Sequence, residues 1–117
     1  MPADGSHPRR ELTRAAGGDG SAAGAARTAL GDGPVDSRLL AAILALARHR
    51  GPRSSICPSD AARAIGGDSW RELTEQSRSI AFALARDGDV EITQRGALVD
   101  PDRPSRGPIR IRPTSTD

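Results

Sequence analysis

Arg71, Thr74, Arg78, Arg95 and Arg110 are the side chains whose types and spacing suit them to chemistry. That chemistry is recognition of phosphates and base edges. Arg71 and Arg78 stand two helical turns apart on one face of a predicted helix, with Thr74 and Gln76 nearby as hydrogen-bonding groups. Arg95 falls in a predicted hairpin turn, where it would offer a cation to an adjoining groove. Arg53, Arg106, Arg110 and Arg112 add charges that can hold phosphates. Glu72 and Glu75 share the helix, and Asp87, Asp89 and Glu91 flank the hairpin, so carboxylates border the same surface. A plainer reading makes Arg71 and Glu75 an i,i+4 surface pair and leaves Arg78 solvated.

Other chemistries have less to stand on. Cys57 and His49 are the one cysteine–histidine combination outside the first residues, and Cys57 precedes a helix start, which favours a thiolate mildly. A single cysteine is more often a small buried hydrophobe, and His49 near a helix C-terminus suits the helix dipole. One Cys and two His, one of them His7, are too few for a structural zinc site. Asp87-Gly88-Asp89 lacks the downstream ligands of a calcium loop, and no phosphate-binding glycine motif follows a strand. The expectation is a binding module without catalytic activity, cofactor, metal or small-molecule substrate. Its partner would be DNA or RNA. The alternative is a protein-interaction or dimerisation module, in which Phe82 and a half-apolar final strand meet another protein or a second copy.

Composition sets the frame for these residues. The chain has 117 residues, so one domain is the ceiling. All 17 basic residues are arginine, and with no Lys or Tyr a formal charge of only +2 carries the pI far up. Position, not number, must therefore decide any nucleic-acid reading. The lone Cys57 excludes an internal disulfide, no apolar run is long enough to span a membrane, and Arg9-Arg10 precede no apolar signal core. The expected compartment is the cytoplasm.

The elements that must position the arginines come from apolar periodicity. Residues 1–34 are mostly Gly, Ala, Ser, Asp and Arg, with only Leu12 and Leu30 large and apolar, which predicts a disordered tail. A second explanation is that translation starts at Val35. Residues 35–112 carry the domain and 113–117 are expected to fray. A helix over 37–49, capped by Asp36 or Ser37, turns Leu39, Ile43, Leu46 and Ala47 to one side and stops at Gly51-Pro52. Residues 54–57 form a short strand that pairs later with the hairpin, and Ser59 caps a helix over 60–65. Ser69 and Glu72 form a capping box that opens the next helix, whose core stripe is Trp70, Leu73, Ser77, Ile80, Ala81 and Leu84. Phe82 falls on the charged side, where it either lies under the hairpin or is exposed. Gly88 stops that helix, and 90–93 and 97–99 flank a turn at Gln94-Arg95-Gly96. After a polar loop over 100–107, residues 108–112 alternate apolar and basic, as a half-exposed strand does.

Five segments, Ile56-Cys57-Pro58-Ser59, Trp70-Arg71, Val90-Glu91-Ile92-Thr93-Gln94-Arg95-Gly96, Val99-Asp100-Pro101 and Arg106-Gly107-Pro108-Ile109-Arg110, stand in this order along the chain. Taken together they resemble a bacterial family, domain of unknown function 3253. The resemblance implies a small winged-helix-like domain and carries no activity and no binding residues. Order and resemblance agree on an α+β, mainly helical fold: a winged-helix-like three-helix domain with a C-terminal β-hairpin and a short extra strand.

Overall fold

The structure, a computed structural model, describes residues 6–18, 21–51, 54–103 and 106–114. Among them run α1 (Ser6–Ala16), α2 (Ser21–Leu30), α3 (Val35–Arg50), α4 (Pro58–Gly66), a 3-10 segment (Gly67–Leu73) and α5 (Thr74–Arg86). Three strands follow, β1 (Val90–Gln94), β2 (Ala97–Leu98) and β3 (Arg110–Pro113). The fold is α+β and mainly helical, with one small antiparallel sheet in the order β2-β1-β3.

Helix α3 forms where the periodicity requires it and buries Leu39, Ile43, Leu46 and Ala47. It ends at Gly51, whose φ of +85° only glycine adopts easily and whose N–H reaches the Ala47 carbonyl at 3.0 Å. Its start differs from expectation. Pro34 occupies the cap without a side-chain bond, and Asp36 instead accepts a hydrogen bond from Gln76 of α5. Helix α4 starts two residues earlier than a Ser59 cap would allow, because Pro58 fits the first helical position. The Asp60 carboxylate accepts the Cys57 N–H at 3.0 Å, so the reciprocal acid of a capping box lies here.

The box expected at Ser69 and Glu72 does not form. Ser69 has φ −98° and ψ 18°, a kink inside the 3-10 segment, and α5 begins only at Thr74. The 3.6-residue phase therefore holds from Ser77 through Ala81 and Leu84, which are buried, and fails at Trp70. Trp70 leaves the core stripe and is half-buried, with the Arg63 and Arg71 guanidinium carbons 4.4 and 4.6 Å from its ring centroid. Phe82 is 4% exposed, because α5 packs on helices α3 and α4 and on β1. Ser77, fully buried, donates to the Pro58 carbonyl at 2.8 Å and so ties α5 to the start of α4.

Helix α5 ends as the sequence predicts. Gly88, at φ +82°, donates to the Ala85 carbonyl at 3.1 Å, and Asp89 donates to the Leu84 carbonyl at 2.9 Å, the paired bonds of a Schellman motif. The hairpin pairs Thr93 with Leu98 and Gln94 with Ala97 across a two-residue turn, Arg95-Gly96. Strand β3 pairs with β1 on the other side, Ile92 opposite Ile111. The strand expected over 54–57 contracts to one bridge, Ile56 to Ile111, bonded both ways at 2.8 and 2.7 Å. It joins β3 and not the hairpin, and leaves Ile56, Ile109 and Ile111 fully enclosed.

The structure differs from the expected tail. Residues 6–16 and 21–30 supply α1 and α2, which pack on α3 and α4 through Leu12, Ala15, Ala22, Ala26 and Ala29. Alanine offers little surface but lets helix axes approach closely, and polar side chains fix the docking. Arg9 donates to the Ala64 carbonyl at 2.9 Å, and Arg38 to the Ala29 carbonyl at 3.0 Å. Both bonds satisfy carbonyls in the last turns of helices. Arg50 holds Glu11 through two bonds of 2.9 and 2.6 Å and also donates to the Ser55 carbonyl at 3.0 Å. The Arg50 hydrogen bond, foremost, holds the Glu11 carboxyl below the ordinary glutamate range, while burial opposes it. At the other end, Pro113 pairs with Val90, and Thr114 donates to the Gly88 carbonyl at 2.6 Å, so the frayed end does not begin at 113. Residues 115–117 lie outside the described residues.

Candidate functional site

The hairpin turn and the loop before β3 face each other across an open cleft of about 580 Å³ lined by Gln94, Arg95, Arg106, Gly107, Pro108 and Arg110. No carboxylate lines it. Each wall has a local cause. Arg95 sits in the turn at φ +54°, followed by Gly96 at +85°, the paired left-handed residues of a tight hairpin. Gly107, at φ +98°, bends the loop, and a Cβ on it would lie 3.2 Å from Gln94 Nε2. That close approach serves a bond. Gln94 Nε2 donates to the carbonyls of Arg106 at 2.6 Å and Pro108 at 3.3 Å.

The five residues singled out in the sequence divide into two groups. Arg95 and Arg110 line the cleft together, and Arg106 lines it with them. Arg110 is held there by Ser55, with Nε on Oγ and Nη2 on the carbonyl, both at 2.8 Å. Arg78 borders the cleft from α5 and donates to the Gly107 carbonyl at 2.9 Å, with its guanidinium 5.5 Å from the Phe82 ring centroid. Arg71 and Thr74 stand apart, at the start of α5. Arg71 lies over Trp70 and pairs with no carboxylate among the described residues, so the surface pair with Glu75 does not form. Thr74 turns back to the Trp70 carbonyl at 3.4 Å. Arg112 pairs with Glu91 at 2.9 Å, and Arg53 lies outside the described residues.

The carboxylates that border the surface are partly answered by these pairs. Arg112 takes Glu91, and Arg86 takes Asp102 at 3.4 Å. Glu75 remains beside Arg78, Ser79, Phe82 and Arg86 in a shallow depression on α5. Gln94 and Gly107 were not singled out as site residues. Their spacing carries no motif, and only the fold brings them together. His49 is exposed, and the Cys57 thiol lies 3.1 Å from Ser59 Oγ. Among the described residues, no group of His, Cys, Asp and Glu could hold a metal, and no helix is long and apolar enough to cross a membrane.

No curated protein matches the chain. Over residues 36–114 it matches the model of a family described as Protein of unknown function (DUF3253), a span that begins one residue after the apolar periodicity does. The chain belongs to that family.

Proposed function

We propose that the chain is a cytoplasmic, non-enzymatic nucleic-acid-binding module of winged-helix type, using the exposed side of α5 and the hairpin as wing. The observation that carries this reading is continuity of positive charge. Arg78 on α5 is bonded to Gly107, and Gly107 belongs to the wall of the cleft that holds Arg95, Arg106 and Arg110. The interaction-module alternative needs Phe82 and Ile109 as an exposed apolar patch, and they are 4% and 1% exposed.

The reading also limits what kind of binding to expect. Base-edge recognition from α5 and the 3-10 segment before it would fall to Arg71, Thr74, Gln76 and Arg78, and each is engaged within the chain, at Trp70, the Trp70 carbonyl, Asp36 and Gly107. The cations turned outward belong to the turn and the loop. Such a surface binds phosphates and reads shape more than sequence.

A salt-titrated binding assay on random duplex DNA and on single-stranded RNA tests this. Three phosphate contacts on a duplex, from Arg95, Arg106 and Arg110, give a log–log salt slope of about −2.7. Affinity at low salt with a slope near that value, and little change between duplex sequences, is the expected result. Absence of affinity for either polymer at low ionic strength refutes the reading.

A further inference from the structure

We propose that the cleft between the hairpin turn and residues 106–108 is a seat for the phosphate of a nucleotide. The inference rests on the reading above only for where that nucleotide comes from, a strand or free solution. Three features of the cleft point to an anion. Its charged groups are all guanidinium, whose planar fork matches phosphate oxygens two at a time. The loop carbonyls that would repel an anion are occupied. The carbonyls of Arg106, Gly107 and Pro108 each take a side-chain N–H, from Gln94, Arg78 and Gln94 in turn. Finally, the Arg110 head group is fixed by Ser55 before any ligand arrives, which lowers the entropy lost on binding.

Arg95 supplies an independent observation. A two-residue turn of this hand favours Asn, Asp or Gly at its first position, because a side chain at positive φ is strained. The chain places an exposed arginine there, at φ +54°. Strain kept where it does nothing for the fold marks a group kept for a ligand. The open volume of about 580 Å³ is in the range of small-molecule sites and exceeds what one phosphate fills, so it leaves room beside the phosphate for a sugar or a second phosphate.

The test uses the full chain with three probes: inorganic pyrophosphate, ADP and a fluorescein-labelled oligothymidylate. Circular dichroism checks that R95A, R106A and the charge control R14A on α1 stay folded. The wild type is expected to bind pyrophosphate, and R95A and R106A each to weaken it by about tenfold, the loss of one charge-assisted hydrogen bond. R14A, which removes the same charge outside the cleft, is expected to bind as the wild type does. Pyrophosphate that displaces the oligonucleotide supports the seat and assigns it to a strand. Pyrophosphate and ADP binding without oligonucleotide binding supports the seat, with a free nucleotide as its ligand, and refutes the nucleic-acid reading. Oligonucleotide binding that survives R95A and R106A unchanged overturns the seat and leaves that reading to α5. Failure of all three probes to bind overturns both.

Discussion

Leu12→Ala is the sharpest test of how the molecule is built. Leu12 has no exposed surface and lies on α1, in the segment whose composition predicts a tail. Truncation removes three carbons, worth ~2.4 kcal/mol at about 0.8 per methylene. A residual cavity adds to this, so the total should reach about 3 kcal/mol. A chain of this size has roughly 6 kcal/mol of stability to lose, so the variant should keep about half. With a urea m-value near 1.5 kcal/mol/M, the midpoint should fall by about 2 M. Far-UV circular dichroism follows the transition, since helices dominate the fold. An unchanged midpoint with unchanged helicity would refute the packing argument. Residues 6–30 would then behave as the tail that their composition suggests.

Three further outcomes are expected. Trp70→Ala should cost ~1–2 kcal/mol in urea unfolding, because the ring is half-buried and held mainly by two guanidinium groups; a loss of ~3–5 kcal/mol would return it to the core. Arg95→Asn should relieve strain in the turn and raise stability by about 0.5 kcal/mol, while reducing the salt slope of nucleic-acid binding by about one unit; a variant that is less stable and binds equally well contradicts both parts. The Glu11 carboxyl is held below its ordinary value by Arg50, so its contribution is full above the unfolded glutamate pKa of about 4.3 and is lost as pH falls through the lower folded value. Glu11→Gln should therefore remove part of the acid destabilisation seen in unfolding midpoints followed from neutral to acid pH, and a profile that keeps its full acid slope would separate Glu11 from the effect.

Where local chemistry decides the backbone, the sequence is readable. Gly88 ends α5 because its positive φ and the Asp89 N–H complete a motif within six residues. Arg95-Gly96 turns the hairpin because the strands on either side alternate and the loop has two residues. The stripe from Ser77 to Leu84 follows from helical phase alone. Trp70 was misplaced because that phase was extended backward through Ser69, where the backbone leaves the helix. Helices α1 and α2 were missed because their buried face is alanine. Counting large apolar residues does not register a surface that works by close approach. Nor do the bonds from Arg9, Arg38 and Arg50 leave a trace in spacing, since their partners lie 55, 9 and 39 residues away.

The same contrast governs the site. Seen in the sequence, Arg71 and Arg78 are equivalent cations two turns apart, and Arg106 is one arginine in a polar loop. In the fold, Arg71 belongs to Trp70 and Arg78 holds the loop through Gly107, whereas Arg106 lines the cleft with Arg95 and Arg110. Arg78 thus acts on a ligand through the loop it positions. Its loss should disturb Gly107 and with it the spacing of Arg106 from Arg95. Losing Arg106 should remove one charge and leave the backbone where it was. The number of arginines does not distinguish these roles. What distinguishes them is what each guanidinium group is bonded to within the chain, and Arg95 and Arg106 stand exposed at the hairpin turn and the loop beside it.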